Sequence, residues 1–431
     1  MTAPAHAPAP GTAPRTAPGP PIRSRRFALM DSVRALAALS VLIFHSVGIY
    51  GGALGQPGLR AVVSRMEVGV VIFLVVSGFL IYRPFVMSHL TGGRAPGARA
   101  YLWRRALRIV PAYWVALAVA TLLVPYHGVF TARGVPTYFG FGQIYRGSTI
   151  AAGDPPAWTL GLEVSFYLFL PLWALTLRAV SRRTARDLRA RLRLQALGVA
   201  GLWLFSVAYK AVLMKTGAVP VIPGSPQPAL VALPGYIDEF ALGMGLAVFS
   251  AWLELGGAEP AAVRLIGRRP GVAWAFALAA FLLVSLGIGL TGDPAQNYTP
   301  AQYLARNVLY GAVALGVIAP AVFGEDRGGL VRRVLAWPAL LWIGVISYGI
   351  YIWHSPLLSR LLAWHYGQSG SHLWRYIQWG VVPLLGSIAL GAASYYLIER
   401  PALSLRRLVP DRRRAVSEPR AEPALPAPPG G

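Results

Sequence analysis

Ten apolar segments, each about twenty residues long and so able to cross a bilayer as a helix, alternate with short polar stretches along the 431-residue chain. They run over roughly 29–50, 68–88, 106–125, 158–178, 195–215, 231–252, 271–290, 303–323, 339–361 and 376–398, the sixth and eighth carrying charges. Outside them the pattern is lost. Residues 1–26 are Pro/Ala-rich, and the chain from Arg412 onward reads the same way, so both ends are expected to be disordered tails. No charged stretch leads into a short apolar run at the start, and no signal peptide is expected. The organisation predicted is a tail (1–26), a transmembrane domain (27–401), and a basic then Pro-rich tail (402–431). The fold class is all-α integral membrane.

Composition agrees with that reading. Hydrophobic residues make up 55% of the chain, charged residues 13%, and the mean hydropathy is +0.52. A soluble domain carries roughly a quarter charged residues. Soluble enzymes, fibrous proteins and wholly disordered chains are thereby excluded. The net charge of +24 would ordinarily suggest nucleic acid. Placing the N-terminus in the cytoplasm, however, puts 31 of the 40 basic residues on cytoplasmic segments and helix ends. That is the positive-inside pattern, and it predicts that both termini are cytoplasmic. The charge is mostly a topology code, and no nucleic-acid partner is expected. There is no cysteine, which removes disulfides, Cys-ligated zinc and thiol nucleophiles. A Gly-x-Gly-x-x-Gly at Gly287, Gly289 and Gly292 ends a span without the acidic residue a dinucleotide site needs, and is set aside.

Ionisable groups inside spans cost about 2.5–3.5 kcal/mol each at the centre, so they are functional candidates. In the first span Arg34 and His45 are eleven residues apart, close to three helical turns. Both side chains then share one face, about 16 Å apart along the axis. A snorkelling Arg with an interfacial His is the plainer alternative. In the second span Gly78 permits close helix approach and Ser77 can hydrogen-bond across the gap, though packing alone would account for both. Arg104, Arg105 and Arg108 open the third span at a spacing that forms a fork for phosphate, or a positive-inside anchor. Trp158 begins the fourth span, and Glu163 lies one or two turns inside it, a partner for His45 or for an arginine. Ser347, Tyr348, Tyr351 and His354 form a polar stripe on the ninth. Asp238–Glu239 and Arg306–Asn307 are further polar insertions, which an interhelical ion pair would also explain.

These elements stand in a recognisable order. Arg34-x10-His45, FLVVSGFL at 73–80, the Arg105-x-x-Arg108 pair, WTLGLEVSFYLFLP at 158–171, ISYGIYIWHSPLL at 346–358 and IERP at 398–401 together resemble the acyltransferase-3 family of integral-membrane acyltransferases. The resemblance runs from about Phe27 to Pro401. It implies transfer of an acyl group, commonly acetyl, from a CoA thioester to a hydroxyl of a surface glycan or of a glycosylated natural product such as a macrolide. It implies His45 as the catalytic histidine, Arg34 as its same-helix partner, and Arg104, Arg105 and Arg108 as the donor-side cluster. Glu163 falls at the family's Trp-Ser-Leu-x-x-Glu position, where Thr159 replaces Ser and Val164 stands where a second acid is common. Many bacterial members carry a soluble esterase-like domain after the membrane part, and none is expected in the roughly thirty residues that follow the last span.

The expected mechanism has His45 deprotonate the acceptor hydroxyl, which attacks the thioester directly or through an acyl-His intermediate. Ser77, Trp158, Tyr348, Tyr351 and His354 are the candidate substrate contacts. No permanently bound cofactor and no metal are expected; acyl-CoA is the donor, and the lipid bilayer and a carbohydrate-containing acceptor are the partners. The Arg/Ala/Gly/Pro bias suggests a bacterial plasma membrane. The competing reading is a secondary transporter, which predicts an internal repeat; Arg-x10-His has no second copy.

Overall fold

The computed structural model describes residues 27–124, 128–150, 152–184, 187–216, 227–293, 296–324 and 328–409. The tail 1–26 and the Pro-rich part of the tail 402–431 lie outside the described residues. Those described are helical, with no strand among them. Ten helices build the bundle: α1 (Met30–Ile43), α2 (Val68–Leu90), α3 (Ala98–Leu123), α4 (Trp158–Thr184), α5 (Leu188–Lys215), α6 (Leu233–Glu254), α7 (Gly271–Leu282), α8 (Pro300–Val322), α9 (Pro338–Ala363) and α10 (His372–Ser394). Each predicted segment has its helix.

Nine helical stretches among the described residues are long and apolar enough to span a bilayer alone; the tenth is a bent pair. Ala261–Arg268 and Gly271–Gly287 meet at 103° across Pro270. Such a break strands backbone carbonyls, which must find donors inside a bilayer. Arg332, 4% exposed, supplies them, donating to Ile266 O at 3.0 Å, Gly267 O at 2.9 Å and Phe323 O at 2.8 Å.

α2 and α6 cross at the centre with their backbones in near contact. Gly78 faces the Phe240 carbonyl and Gly243 faces that of Val75, so a β-carbon at either position would collide with backbone. Small residues allow this approach, and close packing is what holds helices together where lipid removes the hydrophobic drive. Phe240 also stacks on Phe166 of α4, ring centroids 3.9 Å apart. α1 lies between α2 and α9, and α9 packs on α10 through Gly349 and Gly391. Leu197, Leu204 and Val212 of α5 and Leu385 of α10 point outward, as lipid-facing residues do.

Successive helices run antiparallel, so one end of the bundle gathers Arg34, Arg83, Arg104, Arg105, Arg108, Arg178 and the arginines after α10. We call it the basic face, and the opposite end the far face. On the far face Thr299 and Gln302 form a reciprocal capping box at the start of α8, and Ser371 caps α10, the chemistry that ends polar loops and begins helices.

Candidate active site

α1 ends in a π-helical turn, Phe44–Tyr50, and His45 is its second residue. Arg34, three turns earlier, lies 3.8 Å from Asp31 and lines a cavity that opens at the basic face. The cavity holds about 360 Å³, within the range of small-molecule sites. Five guanidinium groups line it: Arg34, Arg104, Arg105, Arg108 and Arg406. α3 brings three of them to one wall because residues three and four apart share a helix face.

Glu163 belongs to this arginine cluster. It accepts hydrogen bonds from Ser77 at 2.9 Å and Tyr167 at 3.1 Å, and the charges of Arg34 and Arg105 act on it. Ser77 therefore does more than permit close packing. Of the two partners open to Glu163 from the sequence, the arginines are the ones whose charges reach it. Tyr348 donates to Ile109 O at 2.8 Å, and the Arg108 guanidinium stands 5.8 Å from its ring centre. Tyr351 closes the inner end of the cavity with Thr159, Val70 and Phe73. Its hydroxyl lies 2.8 Å from Thr159 Oγ1 and donates to Pro156 O at 3.1 Å.

His45, His354 and Trp158 are not among the cavity's lining residues. They stand beyond Tyr351, toward the far face. The His45 and His354 rings are 5.0 Å apart, and His354 is 5.6 Å from Tyr351. Each histidine uses Nδ1 on a backbone carbonyl: His45 on Val41 at 3.0 Å, His354 on Tyr351 at 2.6 Å. That assigns the proton to Nδ1 and leaves both Nε2 atoms with a lone pair. The Nε2 of buried His354 has no partner. Trp158 packs on Tyr236, 5.5 Å between centroids.

Sequence reasoning passed over several residues of the site. Glu399, 1% exposed on a second π-helical turn (Tyr395–Glu399), accepts from Arg108 at 3.2 Å. It is the acid of the IERP motif, so the signal was present but the partner was not. Tyr167 is one turn from Glu163 and was findable by its i, i+4 spacing. Arg406 had no signal beyond its charge. Asp154, just before the fourth span, is buried beside Ser355; burial pushes its carboxyl up to about 7 against the opposing Ser355 hydrogen bond. Among the described residues no cluster of three His, Asp or Glu side chains is placed to hold a metal ion.

The acyltransferase-domain family model matches residues 27–399. Nodulation protein 10 of Rhizobium leguminosarum bv. viciae is 25% identical over 370 residues, covering 81% of this chain and 85% of that protein. Exopolysaccharide production protein ExoZ of Rhizobium meliloti is 27% identical over 359 residues, 78% of this chain and 89% of that one. Peptidoglycan O-acetyltransferase OatA of Listeria monocytogenes is 24% identical over 344 residues, 77% of this chain but only 49% of OatA. This chain thus spans about half the length of OatA. No solved structure matches.

Proposed function

The chain belongs to the acyltransferase-3 family, and we propose that it moves an acyl group, acetyl first among candidates, from acyl-CoA to a hydroxyl of a carbohydrate-containing acceptor, with His45 as base. It is a multi-pass membrane O-acyltransferase; donor, base, acceptor and orientation are our reading.

The observation that carries the reading is the cavity. Five guanidiniums face three carboxylates, Asp31, Glu163 and Glu399, and this excess of positive charge suits the phosphates of CoA. Acyl-CoA is cytoplasmic, so the basic face is the cytoplasmic one, in keeping with the 31 basic residues on that side. The pantetheine arm runs inward past Ser77 and Tyr348 and brings the thioester to Tyr351, the residue between the cavity and the histidine pair. The names of ExoZ and OatA, an exopolysaccharide protein and a peptidoglycan O-acetyltransferase, support a glycan acceptor. That the relatives are bacterial supports a bacterial plasma membrane as its location.

Chemically, His45 Nε2 takes the proton from the acceptor hydroxyl as its oxygen attacks the thioester carbon. The C–S bond breaks, the ester remains on the acceptor, and the thiolate recovers the proton from His45 as CoA-SH. No acyl-cysteine stage arises in a chain without cysteine. Arg34 and Arg105 hold the donor, and Glu163 keeps their guanidiniums in place. In proteoliposomes supplied with acetyl-CoA and glycan, His45→Ala and His45→Gln are expected to lose about 10²–10⁴-fold in turnover, the usual share of a general base. Near-normal turnover in both removes His45 from the mechanism.

A further inference from the structure

The polar residues of α6, α8 and the turn Ser64–Glu67 have no part in the donor cavity, yet they lie beside His45. The turn packs directly against the π-helical segment that carries His45. From His45 the contacts pass to His354 and Tyr351, and Tyr351 is bonded to Thr159. The neighbouring Trp158 meets Tyr236 ring to ring. Tyr236 is within electrostatic range of Arg306 and Glu67, and Glu67 within that of His45. The circuit closes. Thr159 and Tyr351 belong both to this ring and to the inner end of the donor cavity, and Val70 of that inner end is one turn from Glu67. The ring therefore sits on top of the cavity, on the far-face side.

Resting on the acyl-transfer reading above, we infer that this ring is the acceptor site and that Glu67, Arg306, Trp158 and Tyr236 recognise an uncharged sugar unit. Three features support it. Glu67 accepts from Arg306 and, at 3.0 Å, from Tyr310, with Arg65 at 4.0 Å; yet 29% of the Glu67 side chain and 15% of Arg306 remain accessible. The pair is not sealed inside the bundle. Next, donors are left unspent. Arg65 Nε and Nη2, Arg306 Nε and the Glu239 Oε2 acceptor are buried without partners, which a purely structural ion network would avoid. Finally, the charges balance. Arg65, Arg306 and Lys210 stand among as many carboxyl groups, Glu67, Asp238 and Glu239, and Lys210 donates to Asp238 at 2.5 Å. A balanced cluster gives no net pull on a phosphate or carboxylate. It offers planar, paired donors and acceptors to vicinal hydroxyls, while the Trp158–Tyr236 surface covers the apolar face of a sugar ring.

The test uses the full chain in proteoliposomes with radiolabelled acetyl-CoA. Three neutral probes (chitotetraose, cellotetraose, maltotetraose) are compared with a carboxylated one, hyaluronan tetrasaccharide. We expect the wild type to acetylate at least one neutral probe about tenfold more efficiently than the carboxylated one, and Glu67→Gln to raise the KM for that probe about tenfold or more while the acetyl-CoA KM moves less than about twofold. Trp158→Leu and Tyr236→Leu leave the ions intact and are expected to shift the same KM, so a folding failure of Glu67→Gln does not end the test. Preference for the carboxylated probe overturns the inference, as does a wild type that consumes acetyl-CoA but acetylates no saccharide. So does an unchanged probe KM in every variant that folds, or a parallel rise in acetyl-CoA KM. A wild type that consumes no acetyl-CoA at all, with any probe, overturns the acyl-transfer reading itself.

Discussion

Two polar regions share one bundle and treat charge in opposite ways. At the basic face five guanidiniums face three carboxylates around an open cavity. Around the far-face cluster three cations meet three carboxylates, with Lys210 and Asp238 sealed between α5 and α6. The excess creates a field for a polyanion. The balance removes that field and leaves directional hydrogen bonding. On the proposed reading the same residue types serve two kinds of ligand, and the ratio between them decides which.

The largest expected effect lies in the balanced region. Lys210→Met leaves buried Asp238 with only the neutral donors Ser206 and Asn307 and is expected to cost about 3–5 kcal/mol of stability, read by denaturation in detergent. Asp238→Leu added to it should recover most of that loss, because an apolar pair replaces a buried ionic one at little cost. Failure to recover would mean the cluster is not a balanced unit. In the excess region, Arg105→Gln removes a cation with an unspent donor and should raise the acetyl-CoA KM by about 10–100-fold with little change in stability. Arg108→Gln should weaken donor binding and destabilise as well, since it leaves buried Glu399 without its ion-pair partner. Salt gives a smaller effect. Raising ionic strength from about 0.01 to 0.15 M shortens the screening length from about 30 to 8 Å, so the acetyl-CoA KM should rise several-fold while a neutral saccharide's KM stays level. Equal responses would erase the contrast between the two regions.

The smallest effect concerns Asp154. Its carboxyl titrates near 7 when folded and near 3.8 when unfolded, so between those values the folded state holds the extra proton. Stability contributed by this group is full below the unfolded value and falls as pH rises toward 7. Asp154→Asn should flatten the decline in Tm between pH 5 and 8. A decline as steep as in the wild type would assign it to other groups.

The helices were legible because about twenty apolar residues in succession admit one solution in a bilayer. Only the seventh differed in kind, since a Pro270 break and its Arg332 staple depend on carbonyls that sequence does not display. The arginine cluster was legible too, three of its members standing within five residues on α3. The partners were not. Arg306 and Glu67 are 239 residues apart, and Arg108 and Glu399 are 291 apart. Helical periodicity carries no information about which faces meet at such separations. For the same reason Glu163 could be offered to His45 or to an arginine with equal right. The π-helical turn at His45 also departs from the 3.6-residue period by which Arg34 and His45 were aligned.

By itself, then, the sequence determined local and additive properties: which segments are helical, how the basic residues divide between the two ends, and which residue types are present for chemistry. Each depends on neighbours along the chain or on simple counts. Tertiary structure alone decided that His45 stands beyond Tyr351 rather than in the arginine-lined cavity, that His354 is its neighbour, and that Glu67 and Arg306 pair. Those are pairings between helices, and they arise from how glycine contacts such as Gly78–Phe240 set the distance and register of whole helices against one another.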